Sequence, residues 1–238
     1  MIATEKDILD CILQASSPLK VVLFGSRARG DFDAESDYDV LVVVSDETDV
    51  RTTKRQLQQA LAAQPSSVQL LVKRWSDYLA LQGLTVGLWQ NIRTDGITLY
   101  ERTDTTHFTP FPMKTNQDLA QTLLKKAQTD LKSARILSEH LTEIEAIGFH
   151  CQQAVEKALK AVLAYHDIHF PRTHDLGELL RLLAAHNIPY DPALNEATQL
   201  TDFAVELRYD TLETTLDIPS ALNLATTALA FAERFVAQ

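Results

Sequence analysis

The sequence predicts an α/β domain followed by an all-α helical bundle, on three observations. Up to about residue 105, apolar runs of strand length alternate with amphipathic segments; beyond it, only the three-and-four-residue apolar spacing of helices recurs. Between the two, Arg102 to Lys114 is Thr-rich and holds Pro110 and Pro112, which block helix continuation and suit an extended connector. The expected organisation is residues 1–102, a linker at 103–114, and a helical domain at 115–238.

The elements follow in order. An amphipathic helix is expected around Glu5 to Gln14. Apolar strands follow at Val21 to Phe24 and Val40 to Val44, both continuous enough to be buried on two faces. A polar helix covers Val50 to Ala63, a strand Val68 to Val72, helical segments lie between Trp75 and Thr94, and a short strand runs from Ile97 to Glu101. In the second half, Leu119, Leu123, Ala127, Leu131, Ala134, Leu137 and Leu141 form one face of a long helix. Helices are then expected at Ile144 to His166, Asp175 to His186, Pro192 to Glu206 and Ser220 to Val236, and no internal repeat or low-complexity tract interrupts them.

Composition narrows the classes. With 238 residues, 45% of them hydrophobic, the chain can bury two modest cores. A net charge of −10 argues against a sequence-independent nucleic-acid binder, which needs a clustered basic surface. Two cysteines, Cys11 and Cys151, suggest neither a disulfide framework nor a structural zinc site. No basic-then-apolar leader opens the sequence and no run reaches the ~18 apolar residues of a membrane span, so the expectation is a soluble cytoplasmic protein without a membrane partner.

Chemistry concentrates between the first two strands. Gly25-Ser26-Arg27-Ala28-Arg29-Gly30 leaves the first strand, and Ser36-Asp37-Tyr38-Asp39 leads into the second. Gly25 and Gly30 permit backbone geometries closed to other residues, Gly25 lets a polyphosphate approach the main chain, and Ser26 adds a hydroxyl. Arg27 and Arg29 could supplement them. Side chains alternate along a strand, so Asp37 and Asp39 share a face and can hold magnesium against nucleotide phosphates. Asp31, Asp33 and Glu35 read as solvated loop residues.

These residues resemble the signature of the minimal nucleotidyltransferases of the DNA polymerase beta superfamily, over roughly residues 1 to 102. Asn91 to Tyr100 resembles the close of such domains. The resemblance implies a small mixed sheet flanked by helices, ATP or another nucleoside triphosphate as donor, and two magnesium ions. It assigns Asp37 and Asp39 as catalytic and metal-binding, and Gly25, Ser26, Arg29 and Ser36 as nucleotide-binding. In one respect the sequence departs: where the family places a third carboxylate on a later strand, this chain has Gln69, whose amide carries no charge and cannot act as a base. Asp77 and Glu101 read as surface carboxylates.

The helical half resembles a HEPN domain. Phe149 to Ala161 (Phe-His-Cys-Gln-Gln-Ala-Val-Glu-Lys-Ala-Leu-Lys-Ala) followed by Pro171-Arg172-Thr173-His174-Asp175-Leu176 carries the likeness, over residues 115 to 238. It implies a bundle of four or five helices that commonly forms homodimers and, in some members, a metal-independent RNase with Arg, four to six residues, then His in a late helix. Here the late candidate Arg208 has no such His, and Arg135 with His140 has the spacing but lies on the first helix of the bundle. Ala154, Val155, Ala158, Leu159 and Val162 make the expected buried stripe. Gln153, Lys157, Lys160, His174 and Arg208 are the candidate ligand or interface residues; Glu156 and Lys160 read equally as a helix-surface ion pair or as ligand-binding groups, and Asp175 with Glu178 as a capping box.

Together these readings predict a magnesium-dependent nucleotidyltransferase moving a nucleoside monophosphate, AMP from ATP foremost, to a hydroxyl acceptor: a small molecule, a protein Tyr or Ser, or an RNA end. The alternatives are a nucleotide-binding sensor impaired by Gln69, and an RNase half regulated by its nucleotidyltransferase half.

Overall fold

The computed structural model describes residues 4–33, 36–64, 66–102, 113–140, 144–204 and 216–236. They fall into two compact units, one of Met1–Leu84 with Leu88–Lys114, the other of Thr85–Gly87 with Thr115–Gln238. The Pro110 and Pro112 segment of the expected linker lies outside the described residues.

In the first unit, helix α1 (Glu5–Ala15) starts at Thr4, whose side chain accepts from Asp7 N–H while the Asp7 carboxylate accepts from Thr4 N–H. Strand β1 (Lys20–Phe24), the short helix α2 (Ser26–Arg29), β2 (Tyr38–Val44), α3 (Val50–Leu61), β3 (Val68–Arg74), α4 (Trp75–Leu81), α5 (Gly87–Asp95) and β4 (Ile97–Glu101) follow. The sheet order is β3-β2-β1-β4, with β1 antiparallel to both neighbours and β2 parallel to β3, so the expected mixed sheet is present. The parallel pair needs a crossover, and α3 supplies it.

Every residue of β2 is buried, as its unbroken apolar run requires of a central strand. Alternation sends Val40, Val42 and Val44 to a core with Ile8, Ile12, Leu57 and Leu61, and Leu41 and Val43 to one with Val22, Phe24 and Ile92. The strand begins two residues earlier than the expected Val40, which brings Asp39 into the ladder and leaves Asp37 immediately before it.

The second unit consists of α6 (Asn116–His140), α7 (Ile144–Tyr165), α8 (Leu176–Ala185), a 3-10 helix (Pro192–Ala204) and α9 (Ile218–Val236). Leu141, expected to end the first of these, and Glu206, expected to end the fourth, lie outside the described residues. Helix α7 is the centre. It buries Ile147, Cys151, Ala154, Val155, Ala158, Leu159, Val162 and Leu163, and packs against α6, α9, α8 and the 3-10 helix. Gly148 is what allows one of these contacts: a Cβ there would lie 2.2 Å from the Phe203 ring.

The helix expected from Pro192 is present but wound more tightly than its α-helical neighbours, because the buried residues Leu194, Ala197, Leu200 and Phe203 recur every three residues. That spacing makes one straight stripe at 3.0 residues per turn and a skewed one at 3.6.

Candidate active site

Gly25 ends β1 and caps α2 with φ +80°, a conformation that L side chains rarely adopt. It is also a spatial requirement, since a Cβ on Gly25 would lie 2.2 Å from Asp39 Oδ2. The turn and the carboxylate are therefore in direct apposition, and Ser26 begins α2 one residue further on. Gly30 closes α2 with φ +84° and open space around it.

Asp39 is 8% exposed and faces Phe24 across the antiparallel pair and Gln69 across the parallel one. Asp37, half-buried, accepts a hydrogen bond from Gln69 Nε2 at 2.7 Å. Gln69 thus occupies the strand position beside Asp39 where the resemblance expects a carboxylate, and its amide acts as a donor. Asp77 sits in the first turn of α4, and Glu101 pairs with Lys20 at 2.9 Å on the other side of β1.

The donor chemistry suits magnesium: Asp37 and Asp39 offer hard carboxylate oxygens to an ion that usually takes one or two carboxylates plus phosphate and water oxygens. Gly25 keeps side-chain atoms out of the space at Asp39. No group of three or more His, Cys, Asp or Glu is gathered for a metal among the described residues.

The two arginines separate. Arg29 is exposed and bonds Asp31 at 3.2 Å, leaving it on the surface next to the turn. Arg27, expected to supplement the turn toward phosphate, is instead 9% exposed: its Nε donates to the Ser36 carbonyl at 2.8 Å and its guanidinium lies over the Tyr38 ring. Ser36 also closes the loop, its hydroxyl donating to Asp33 Oδ1 at 2.8 Å. Glu35 lies outside the described residues.

A second polar cluster lies in the helical unit. Glu156, 5% exposed, accepts from Lys160 at 2.8 Å, Gln152 Nε2 at 2.9 Å, His174 Nδ1 at 2.9 Å and Gln153 Nε2 at 3.4 Å. Burial alone would raise its carboxyl; the His174 hydrogen bond, the Lys160 charge and hydrogen bond and the Gln152 amide overcome that and hold it at about 2. The expected surface ion pair is thus a buried one, because α7 is packed on nearly all sides. Lys160 also donates to the Thr173 carbonyl and Gln152 to that of His174, tying the segment before α8 to α7.

Of the candidates in this half, Gln153, Lys160 and His174 converge on Glu156. Lys157 diverges to Asp130 on α6, which also meets His150 at 3.1 Å, and Arg208 lies outside the described residues. Gln152, Asp130 and His150 were not among the sequence candidates, although Gln152, Glu156 and Lys160 repeat every four residues and so share one face. Asp175 caps α8, accepting from Gly177 and Glu178 N–H, while its own N–H goes to the Thr173 hydroxyl in place of a Glu178 return bond. Arg135 donates to Thr226 on α9. Cys151 is enclosed, and burial pushes its thiol up to about 12, where it stays protonated and inert.

Residues 120–238, half of the chain, match a family model described as the HEPN domain, and residues 6–105 match one described as "Polymerase beta, Nucleotidyltransferase". The chain belongs to the HEPN family through its C-terminal half and carries a polymerase-beta-type nucleotidyltransferase domain in its N-terminal half. Among solved structures, spectinomycin adenyltransferase AAD(9) from Enterococcus faecialis, determined with ATP and spectinomycin, is similar with a TM-score of 0.51. The two share 12% sequence identity, with 95% of this chain and 100% of that one covered, so the likeness is one of fold. No curated protein matches the chain by sequence. No helix among the described residues is long and apolar enough to cross a membrane.

Proposed function

We propose that the chain transfers a nucleoside monophosphate, AMP from ATP, to a hydroxyl acceptor in a magnesium-dependent reaction. The observation that carries this is the apposition of Gly25 and Asp39, where even a methyl group on the glycine would collide with the carboxylate. A phosphate-cradling turn packed against the Asp39 carboxylate, with Asp37 two residues before it, suits a triphosphate bridged to the protein by a cation.

In this reading the Gly25–Ser26 main chain and the Ser26 hydroxyl hold the polyphosphate, exposed Arg29 steadies its charge, and Ser36 fixes the loop that delivers Asp37. Asp37 and Asp39 hold magnesium, which when bound neutralises charge at the α-phosphate and on the departing pyrophosphate. The acceptor oxygen attacks the α-phosphorus in line as the bond to pyrophosphate breaks, so positioning supplies most of the rate. ATP as the donor and a small-molecule acceptor are supported by the fold shared with an enzyme solved with ATP and spectinomycin. A protein Tyr or Ser or an RNA end is the other acceptor class. The helical half, as a homodimer interface or acceptor platform in a cytoplasmic protein, completes the proposal.

Incubation of the full chain with labelled triphosphates, magnesium and acceptors of each class tests it. The expected result is transfer that Asp37→Ala reduces by about 100-fold or more. No transfer to any acceptor, or transfer indifferent to Asp37→Ala, overturns it.

One observation favours a second reading, a nucleotide sensor without turnover: Gln69 stands beside Asp39 and donates to Asp37. Such a protein binds ATP in calorimetry and forms no product, and Gln69→Glu creates activity; product formation by the wild-type chain ends this reading.

A further inference from the structure

We infer that Arg27 is a positioning residue for the carboxylate pair: it fixes Asp37 relative to the Gly25–Ser26 turn and makes no phosphate contact. The inference rests on the nucleotidyl-transfer reading of that pair.

Arg27 follows Ser26 directly, where an arginine would be expected to reach toward phosphate. Its side chain is instead 9% exposed and engaged through its Nε edge and its ring-facing surface. The Nε edge donates to the Ser36 carbonyl at 2.8 Å. One face lies 3.9 Å from the Tyr38 ring centroid, and Phe32 approaches to 4.8 Å. Ser36 and Tyr38 are the two chain neighbours of Asp37. A single side chain anchored in the turn therefore grips the residue before Asp37 and the residue after it, while Gln69 holds the Asp37 carboxylate itself at 2.7 Å.

The chemistry requires arginine. Only a planar, delocalised cation can donate in its own plane while stacking aromatic rings on its faces; a lysine ammonium keeps the charge and loses both geometries. The arrangement also accounts for Phe32, which remains 49% exposed on a loop yet covers the guanidinium. Arg29, exposed and bonded to Asp31, shows neither the buried Nε bond nor the ring stacking among the described residues and is the arginine placed to meet a ligand.

The test uses the full-length protein and Mn2+ as the probe, read by electron paramagnetic resonance, with Asp37→Ala as the reference for loss of the site. ATP affinity is measured separately in EDTA, and kcat and KM are measured with magnesium. Arg27→Lys is expected to weaken Mn2+ binding about tenfold or more, in the range seen when groups that orient metal ligands are removed. It is expected to lower kcat by about 100-fold, as for a small misplacement of reacting groups. ATP affinity in EDTA stays within about threefold of wild type, because no phosphate contact is lost. Phe32→Leu, which opens only one face of the stack, shifts Mn2+ affinity in the same direction by less, and it decides the matter if Arg27→Lys does not fold.

Equal losses of ATP affinity in EDTA and of Mn2+ affinity would show a phosphate contact and overturn the inference. A lowered melting temperature with unchanged Mn2+ affinity would show a purely structural role and overturn it as well. If wild type binds Mn2+ through Asp37 yet transfers nothing, the transfer reading fails while the Mn2+ comparison still decides Arg27. If wild type binds no Mn2+, both fail.

Discussion

Gly25 and Glu156 show how much single residues are asked to do here. Gly25→Ala must place a methyl group 2.2 Å from Asp39 Oδ2 at a backbone φ of +80°. Displacement of Asp39 is the expected relief, with transfer activity lower by about 100-fold in an assay with labelled ATP and with the helical unit's melting unaffected. Glu156 has a folded pKa of about 2 against an ordinary value of 4.5, so its contribution is complete above about pH 4.5 and disappears as the pH falls toward 2. Glu156→Gln should therefore cost on the order of 2–3 kcal/mol near neutrality and progressively less in acid, as read by urea unfolding between pH 7 and pH 3. Gly25, Asp37 and Asp39 could be picked out from the chain because the Gly-Ser turn follows one apolar run and the Asp pair leads into the next, with Asp39 in the strand and Asp37 just before it. The inward direction of Arg27 could not, since it depends on Ser36 and Tyr38 arriving from beyond a loop. Nor could the burial of Glu156, because periodicity gives one stripe of a helix and not how many neighbours surround it.

At the scale of elements, β2 and α7 are the two supports, each buried on more sides than an amphipathic pattern describes. β2 was readable from Val40 to Val44 alone, but its true start at Tyr38 was hidden by the polar Asp39, which enters the ladder opposite Phe24 and Gln69. The 3-10 pitch of the helix expected from Pro192 was hidden for a related reason: Leu194, Ala197, Leu200 and Phe203 fit the first turns of an α-helical pattern and part from it only over the full run. Its docking on α7 relies on Gly148, where a Cβ would meet the Phe203 ring at 2.2 Å. Gly148→Ala is expected to overpack that contact and destabilise the helical unit by about 1–3 kcal/mol in denaturant unfolding, even though alanine is the better helix former.

For the molecule as a whole, separate cores predict separate melting. Leu41 and Leu159 are both fully buried, one in the sheet unit and one in the helical unit. In calorimetry, Leu41→Ala and Leu159→Ala should each cost about 2–5 kcal/mol and lower different transitions; one shared transition moved by both would contradict it. The order of the two halves was legible from the change of periodicity near residue 105, because it reflects hundreds of local choices. What no periodicity reports is that Thr85–Gly87 is grouped with the helical unit. Val86 is fully buried in the helical core, and Asn116 accepts from Thr85 N–H and donates to the Thr85 hydroxyl. The chain consequently changes units after Leu84, after Gly87 and after Lys114. Parts joined by one crossing can be exchanged between genes as intact cassettes. Here a recombination point at residue 115 would strand Val86 and both Thr85 partners of Asn116 with the other half, so any ancestor or descendant that encodes the halves separately has to refill that gap.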